Sequence, residues 1–475
     1  MGKTHSGNTR AAKEMAGLAF ALFFLVACSN AEILNKIGVN YGRLGSNLPS
    51  PYESIEHLKS MKAGRVKIYD ANPEILKLLS GTNIYVAITV PNSQIISIAS
   101  NQSVANSWVR DNIIPYYPET MIRFLLVGNE VFSHSSDQDK QIWQNLVPAM
   151  RKLKSSLASH DIRNIKIGTP LAMDVLRTSH PPSSGTFRSD IAAVMVPLLK
   201  FLNSTNSYFC LDVYPYFAWS ASPNNISLDF ALFTSNRTYT DPSSQLKYAN
   251  VLDMMLDSVI FAMTNLGYPN IKLLISETGW PNAGDVDQHG ANIYNAATYN
   301  RNLVKRLTSR QPVGTPARRG AEIPTFLFAL FDENQKPGAG TERHWGLLRP
   351  SGQPVYEIDL TGNRSLADYP PLPAARNNRP FRGKLWCVVV KGANLTRLRA
   401  ALDFACNHGN GTCDALTPGN ECYDPVSLTA HADYAFSSYY AKFRSQGATC
   451  YFNGLAELTT KNPSRPTCQF PSATV

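Results

Sequence analysis

Ile271-Lys272-Leu273-Leu274-Ile275-Ser276-Glu277-Thr278-Gly279-Trp280-Pro281 is the stretch on which the fold turns. Its apolar half reads as a strand. Glu277 stands at the end of that strand, and the helix-breaking Gly279 and Pro281 turn the chain into a loop at once. A Trp sits between them, so a carboxylate and a flat ring share one strand-to-loop junction. Carbohydrate chemistry uses that pairing: an acid for the glycosidic carbon, and a ring for the CH face of a sugar. Phe124-Leu-Leu-Val-Gly-Asn-Glu130-Val131 puts a second glutamate in a similar setting.

Eight short β-rich runs recur along the chain: Lys36–Gly42, Arg65–Asp70, Ile84–Pro91, Met121–Glu130, Ile165–Leu171, Tyr208–Tyr216, Ile271–Trp280 and Pro324–Glu333. Many are apolar without alternation, as strands covered on both faces are. Helical periodicity separates them. Gln138–Leu157 places Ile142, Leu146, Met150, Leu153 and Leu157 on one face, and Leu246–Leu266 does so with Val251, Met254, Met255, Val259 and Met263. Eight βα units in about 300 residues predict an α/β protein with a (β/α)8 TIM barrel. The alternative, a doubly wound sheet, lacks support from any GxGxxG or P-loop. Polar residues gather at the ends of the runs: Asn40-Tyr41-Gly42, Tyr69-Asp70, Asn129-Glu130, Asp212, Tyr214, Glu277 and Asp332-Glu333. Singly, each is an ordinary cap or turn former. Together they mark the rim where barrel enzymes do chemistry.

The 475-residue chain is 44% hydrophobic with a formal net charge of +10, which suits a globular protein. That charge serves solubility or retention on an acidic surface such as cell-wall polyanion. With no basic run, nucleic acid is not an expected partner. Lys3, Arg10 and Lys13 precede the apolar run Met15–Cys28, and Ser29-Asn30-Ala31 offers a cleavage site, so residues 1–31 read as a signal peptide. An uncleaved anchor is the rival reading. The expectation is a secreted monomer of the extracellular space or cell wall, off the membrane once the signal is cleaved. Seven N-x-S/T sequons permit glycosylation.

After the barrel (32–359), the Pro-rich stretch 360–384 reads as a semi-rigid extended linker. Residues 385–475 then hold Cys387, Cys406, Cys413, Cys422, Cys450 and Cys468. In an exported chain these predict three disulfides, with fifteen connectivities open. The spacings contain no CxxC pair, which argues against zinc. Helical faces at Leu395, Leu398, Leu402 and Cys406, and at Leu428, Ala432, Ala435, Tyr439 and Phe443, predict a small, mainly helical, disulfide-stapled module. Cys210, among apolar neighbours, reads as a buried thiol.

Val127-Gly-Asn-Glu-Val131 and Ile275-Ser-Glu-Thr-Gly-Trp-Pro281 resemble the two signature segments of glycoside hydrolase family 17, the plant endo-1,3-β-glucanases. Ile37-Gly-Val-Asn-Tyr-Gly42, Val66-Lys-Ile-Tyr-Asp70, Val213-Tyr-Pro-Tyr-Phe217, Leu330-Phe-Asp-Glu-Asn-Gln-Lys336, Glu342 and Trp345-Gly-Leu347 extend the likeness. The tail resembles the family 43 carbohydrate-binding module through Trp386-Cys387-Val388, Tyr434-Ala-Phe436, Tyr439-Tyr440 and Cys450-Tyr-Phe-Asn-Gly454. Within the family the chain is most similar to the anther-specific, tapetal members that dissolve callose. The resemblance implies retaining hydrolysis of 1,3-β-glucan without cofactor or metal. It implies Glu130 as acid/base and Glu277 as nucleophile, their carboxyls about 5–5.5 Å apart, with Glu130 raised in pKa and Glu277 held ionised. Asn129 is expected on the sugar 2-OH or, more plainly, as a strand-end cap. Glu333, Lys336 and Glu342 are expected to support the nucleophile through charge, or to be a surface ion pair. Tyr41, Tyr69, Tyr214, Phe217, Trp280 and Phe331 are candidates for the cleft wall, with Tyr41, Tyr214 and Trp280 favoured; the alternative for each is core. Asp212 and Asp332 stand where Asn is common, and Lys67 where Arg is frequent. The competing functions are a transglycosylase and a wall protein that binds glucan without cutting it.

Overall fold

A computed structural model describes residues 37–424 and 426–475; the signal-peptide reading lies outside them. Nine parallel strands form the main sheet: β1 (Ile37–Tyr41), β2 (Arg65–Ile68), β3 (Tyr85–Val90), β4 (Ile122–Val127), β5 (Lys166–Gly168), β6 (Pro170–Ala172), β7 (Tyr208–Asp212), β8 (Lys272–Thr278) and β9 (Thr325–Leu327). β1 pairs with β2 on one side and β9 on the other. The order runs β5-β4-β3-β2-β1-β9-β8-β7-β6. β5 and β6 are two halves of the fifth predicted run, parted at Thr169. The first half pairs with β4 and the second with β7, so this one run joins the two ends of the sheet. The eight-unit barrel expected from the runs is therefore the fold, with one strand broken in two.

The barrel interior is packed in two tiers. Ala87, Phe124, Leu126, Cys210, Leu274 and Phe326 form a buried apolar cluster. Phe326 needs the glycine opposite: a Cβ on Gly38 would stand 2.4 Å from its ring. Toward the C-terminal ends of β1, β2, β7 and β8 come Asn40, Lys67, Asp212, Ser276 and Glu277, all buried polar residues. The outward faces of the strands join the helices in the large core. Helix α1 (Asp137–Ser159) buries Trp143, Leu146, Met150, Leu153 and Leu157, and its N-terminus is closed by a Ser136–Asp139 capping box. Helix α2 (Val251–Asn265) starts later than its periodicity suggests, because Lys247–Tyr248 pairs with Tyr239–Thr240 in a short hairpin. Asn250 then caps the helix, accepting from the Asp253 amide. Among the described residues no helix is long and apolar enough to cross a membrane.

The tail contains the two expected helices, α3 (Leu395–His408) and α4 (Leu428–Phe443). It also contains a sheet that periodicity does not reveal. β10 (Lys384–Val389) pairs antiparallel with β11 (Ala456–Thr459) and β12 (Ala473–Thr474). The disulfides are Cys387–Cys450, Cys406–Cys413 and Cys422–Cys468. The first and third close chain separations of 63 and 46 residues, tying both ends of the tail to one core around Leu385, Leu398, Ala435 and Phe436. The Pro-rich stretch is extended but not free. Asn377 and Asn378 accept hydrogen bonds from Asn292 and Asn295, and Tyr369 lies under the Arg301 guanidinium at 3.9 Å.

Candidate active site

A cleft of about 980 Å³ opens at the C-terminal ends of the strands. Glu277 reaches it from β8. The pairing of β8 with both neighbours shifts register around this residue, an irregularity of the kind that re-aims a side chain. The carboxylate is 6% exposed and fully engaged. Its Oε1 accepts from Lys67 Nζ at 2.7 Å and from the Tyr69 hydroxyl at 2.6 Å. Its Oε2 accepts from the Tyr214 hydroxyl at 2.7 Å. Asn40 aims this set: its amide donates to the Tyr69 oxygen at 3.1 Å and to the Ser276 carbonyl at 2.9 Å. Burial disfavours the charged form of Glu277, but the Lys67 ammonium and the three donors outweigh it, so the carboxyl is held below its usual range.

Glu130 arrives on the turn after β4. The backbone there is left-handed at Gly128 (φ 73°) and at Glu130 itself (φ 49°), a conformation that costs a non-glycine residue energy and recurs at functional sites. Asn92 brackets the turn, accepting from the Asn129 amide at 2.8 Å and donating to the Asn129 carbonyl at 3.0 Å. The Glu130 amide donates to the Pro170 carbonyl at 3.0 Å. Among the described residues no donor reaches the Glu130 carboxyl. Burial, together with the negative charge on Glu277, raises it to about 7, with Lys67 partly opposing. The two glutamates are thus driven apart, Glu277 below the usual carboxylate range and Glu130 above it.

Lys67 is the residue whose part the sequence did not disclose. It is fully buried, and beyond Glu277 its ammonium touches Asn129 Oδ1 at 3.2 Å and stands 3.9 Å from Asp212. A signal existed. A lysine in mid-strand, between Val66 and Ile68, is buried at large cost unless a carboxylate meets it. The charge support expected of Lys336 falls to Lys67 instead. Lys336 pairs with Glu342 at 3.6 Å and lies 4.2 Å over the Phe328 ring, on the cleft wall. Glu333 also lines the cleft, and its Oε1 accepts from the Leu44 amide at 2.8 Å. Gly42 makes room for it, since a Cβ there would stand 2.4 Å from the Glu333 carboxylate.

The aromatic candidates divide. Tyr41, Tyr69, Tyr214 and Phe217 line the cleft. Tyr69 and Tyr214 act through their hydroxyls, on Glu277. Phe217 is 44% exposed and stands beside Trp345, another cleft residue. Trp280 does not reach the cleft. It is fully buried against Tyr216, Trp219 and Tyr299, and its indole N–H donates to the Gly290 carbonyl at 2.8 Å. Phe331 is likewise core, packed on Tyr41 and His57. Of the two unusual acids, Asp212 lines the cleft, with Ser276 donating to its Oδ1 at 2.5 Å. Asp332 is structural: it accepts from Asn282 at 2.9 Å and from the Gly346 amide at 2.8 Å. Cys210 is buried in the barrel, where burial pushes its thiol up to about 12.

A closed βα barrel with two glutamates in one cleft, one pushed below and one above the usual carboxylate range, is the arrangement a glycosidase needs. The profile of glycosyl hydrolases family 17 matches residues 37–360, and that of the X8 domain matches 385–457. The chain belongs to glycosyl hydrolase family 17, with an X8 carbohydrate-binding module at its C-terminal end. It is 60% identical over 445 residues to the probable glucan endo-1,3-beta-glucosidase A6 of Arabidopsis thaliana, covering 94% of this chain and 92% of that one. It is 34% identical to the glucan endo-1,3-beta-D-glucosidase of Olea europaea, covering 97% of this chain and 98% of that one. Among solved structures, a β-1,3-glucanase and allergen of Cryptomeria japonica pollen superposes with a TM-score of 0.64 at 42% identity, covering 68% of this chain and 98% of the other.

Proposed function

We propose that the chain is a retaining endo-1,3-β-glucanase. The observation that carries the acid-and-carboxylate part of this reading is the contrast between Glu277, ringed by Lys67, Tyr69 and Tyr214, and Glu130, which no donor among the described residues reaches and which is raised to about 7. Retention is what the resemblance of the two glutamate segments implies. The 1,3-linkage is supported by the glucan endo-1,3-beta-glucosidases to which the chain is similar. In the first step a Glu277 oxygen forms a bond to the anomeric carbon while the glycosidic C–O bond breaks, and the Glu130 proton passes to the departing oxygen. In the second step Glu130, now a carboxylate, takes a proton from water. The water oxygen bonds to the anomeric carbon, and the bond to Glu277 breaks, restoring both carboxyls. Two inversions leave the β configuration.

Phe217 offers a ring face to the sugar, and Asn129, fixed by Lys67 and Asn92, presents its side chain to the cleft. The finer reading is a secreted monomer that loses residues 1–31 and dissolves callose-type glucan in the wall, as in anther development. In it the barrel spans 32–359, the linker 360–384 and the glucan-binding module 385–475. Exposure of all seven sequon asparagines is compatible with a secreted glycoprotein. Covalent trapping tests the core of this proposal. A 2-deoxy-2-fluoro 1,3-β-glucoside with a good leaving group should add one glycosyl mass to the peptide containing Glu277, and the 1,4-linked analogue should not. Labelling elsewhere, or equal labelling by both analogues, overturns it.

A further inference from the structure

The C-terminal module touches the barrel at the wall of the cleft. The loop after β9, residues 333–345, supplies Glu333, Lys336, Glu342 and Trp345 to that wall. Arg343 lies inside this loop. Its Nη1 donates to the Lys336 carbonyl at 3.1 Å and to the Gly338 carbonyl at 3.2 Å. The same guanidinium lies over the ring of Tyr451, a module residue, at 4.2 Å. The Tyr451 hydroxyl also approaches the Asn334 carbonyl at 3.5 Å.

A second anchor reaches the loop from its other side. Arg444 of the module pairs with Asp287 at 3.0 Å, and Asp287 belongs to the loop after β8. That loop is knitted to the first: Asp285 accepts from the Gly340 amide at 2.8 Å, and Gln288 accepts from the Thr341 amide at 2.9 Å. Gly340 leaves no slack, since a Cβ there would stand 2.4 Å from the Asp285 carboxylate. Both ends of the segment between Lys336 and Glu342 are therefore held by contacts that lead to the module.

We infer that the module braces the cleft wall, with Arg343 as the positioning residue that transmits the support of Tyr451 to the backbone beside Lys336. The inference rests on the proposed glucanase reading for its activity readout. It gives the module an effect on cleavage that does not depend on capturing insoluble substrate. An arginine serves here because one planar group can bond two carbonyls at its edge and stack on a ring with its face, which lysine cannot do.

The test uses the full chain and soluble 1,3-β-gluco-oligosaccharides, on which tethering to an insoluble wall has no bearing. Tyr451→Ala and Arg343→Lys should each lower kcat/KM about three- to tenfold. Both should speed amide hydrogen exchange in residues 334–343. Phe404→Ala, on an exposed module position stacked on His408, should change neither reading. Wild-type kinetics and wild-type exchange in both Tyr451→Ala and Arg343→Lys would overturn the bracing role. A wild-type chain that cleaves no 1,3-glucan would overturn the glucanase reading alone, because hydrogen exchange still reports on the brace. Arg343→Lys leaves the module sequence intact, so a folding failure of Tyr451→Ala does not remove the test.

Discussion

At the scale of single residues, the site is a matter of which carboxyl keeps its proton. Glu130 must be protonated and Glu277 ionised, so activity requires a pH above the lowered Glu277 value and below the raised Glu130 value. The alkaline limb of kcat/KM should fall near pH 7, where Glu130 loses its proton, and the acid limb below the ordinary carboxylate range. Glu277→Gln should lower kcat by about four orders of magnitude or more while glucan binding, measured by calorimetry, persists. Lys67→Met leaves a buried carboxylate without its cation, and should cost about 3–5 kcal/mol in denaturant unfolding. The same change should move the acid limb upward, since the largest influence lowering the Glu277 pKa is gone. Both glutamates were legible because each ends an apolar run. Lys67 shows in the sequence as a charge in mid-strand and a variant of a frequent arginine, but its role does not show, since its partners Glu277 and Asn129 come from other strands. Trp280 misled for a related reason. Its flanking Gly279 and Pro281 signal a loop, but the rings that bury it, Tyr216, Trp219 and Tyr299, belong to distant segments.

At the scale of elements, the barrel was readable because each strand is a short apolar run set off by helical periodicity, and periodicity is local. What the runs do not carry is register. The break at Thr169, the shift beside Glu277 and the facing of Gly38 by Phe326 all depend on strands brought together by closure. The last of these is testable. Gly38→Ala places a methyl into the Phe326 ring, and should destabilise the barrel by about 1–3 kcal/mol, read as a lowered melting temperature. The sheet of the tail leaves no mark in the sequence pattern because β11 and β12 are four and two residues long, too short to show alternation. Cysteine count anticipated three disulfides. Only the packing of β10 and its neighbours selects Cys387–Cys450 from the alternatives.

At the scale of the whole molecule, two units with different means of support share one surface. The barrel has a large apolar core and one buried thiol; the tail has a small core and all three disulfides. Reductant should therefore lower the unfolding temperature of the tail and spare that of the barrel, because losing native disulfides from a small domain costs about 2–5 kcal/mol. A single calorimetric transition shifted as one would contradict this separation. Composition indicated a linker but not its docking, since Asn377 and Asn378 find partners only on the folded barrel. Whether Glu130 and Glu277 act as a retaining pair on internal 1,3-β-bonds is read from the products. The purified chain is incubated with a linear 1,3-β-glucan, with cellulose and with mixed-linkage glucan, and chain length and anomeric form are followed by chromatography and NMR. Short oligosaccharides, formed first as the β-anomer, are expected from the 1,3-glucan alone. First-formed α-anomers, products longer than the substrate, or binding with no products at all would contradict that expectation.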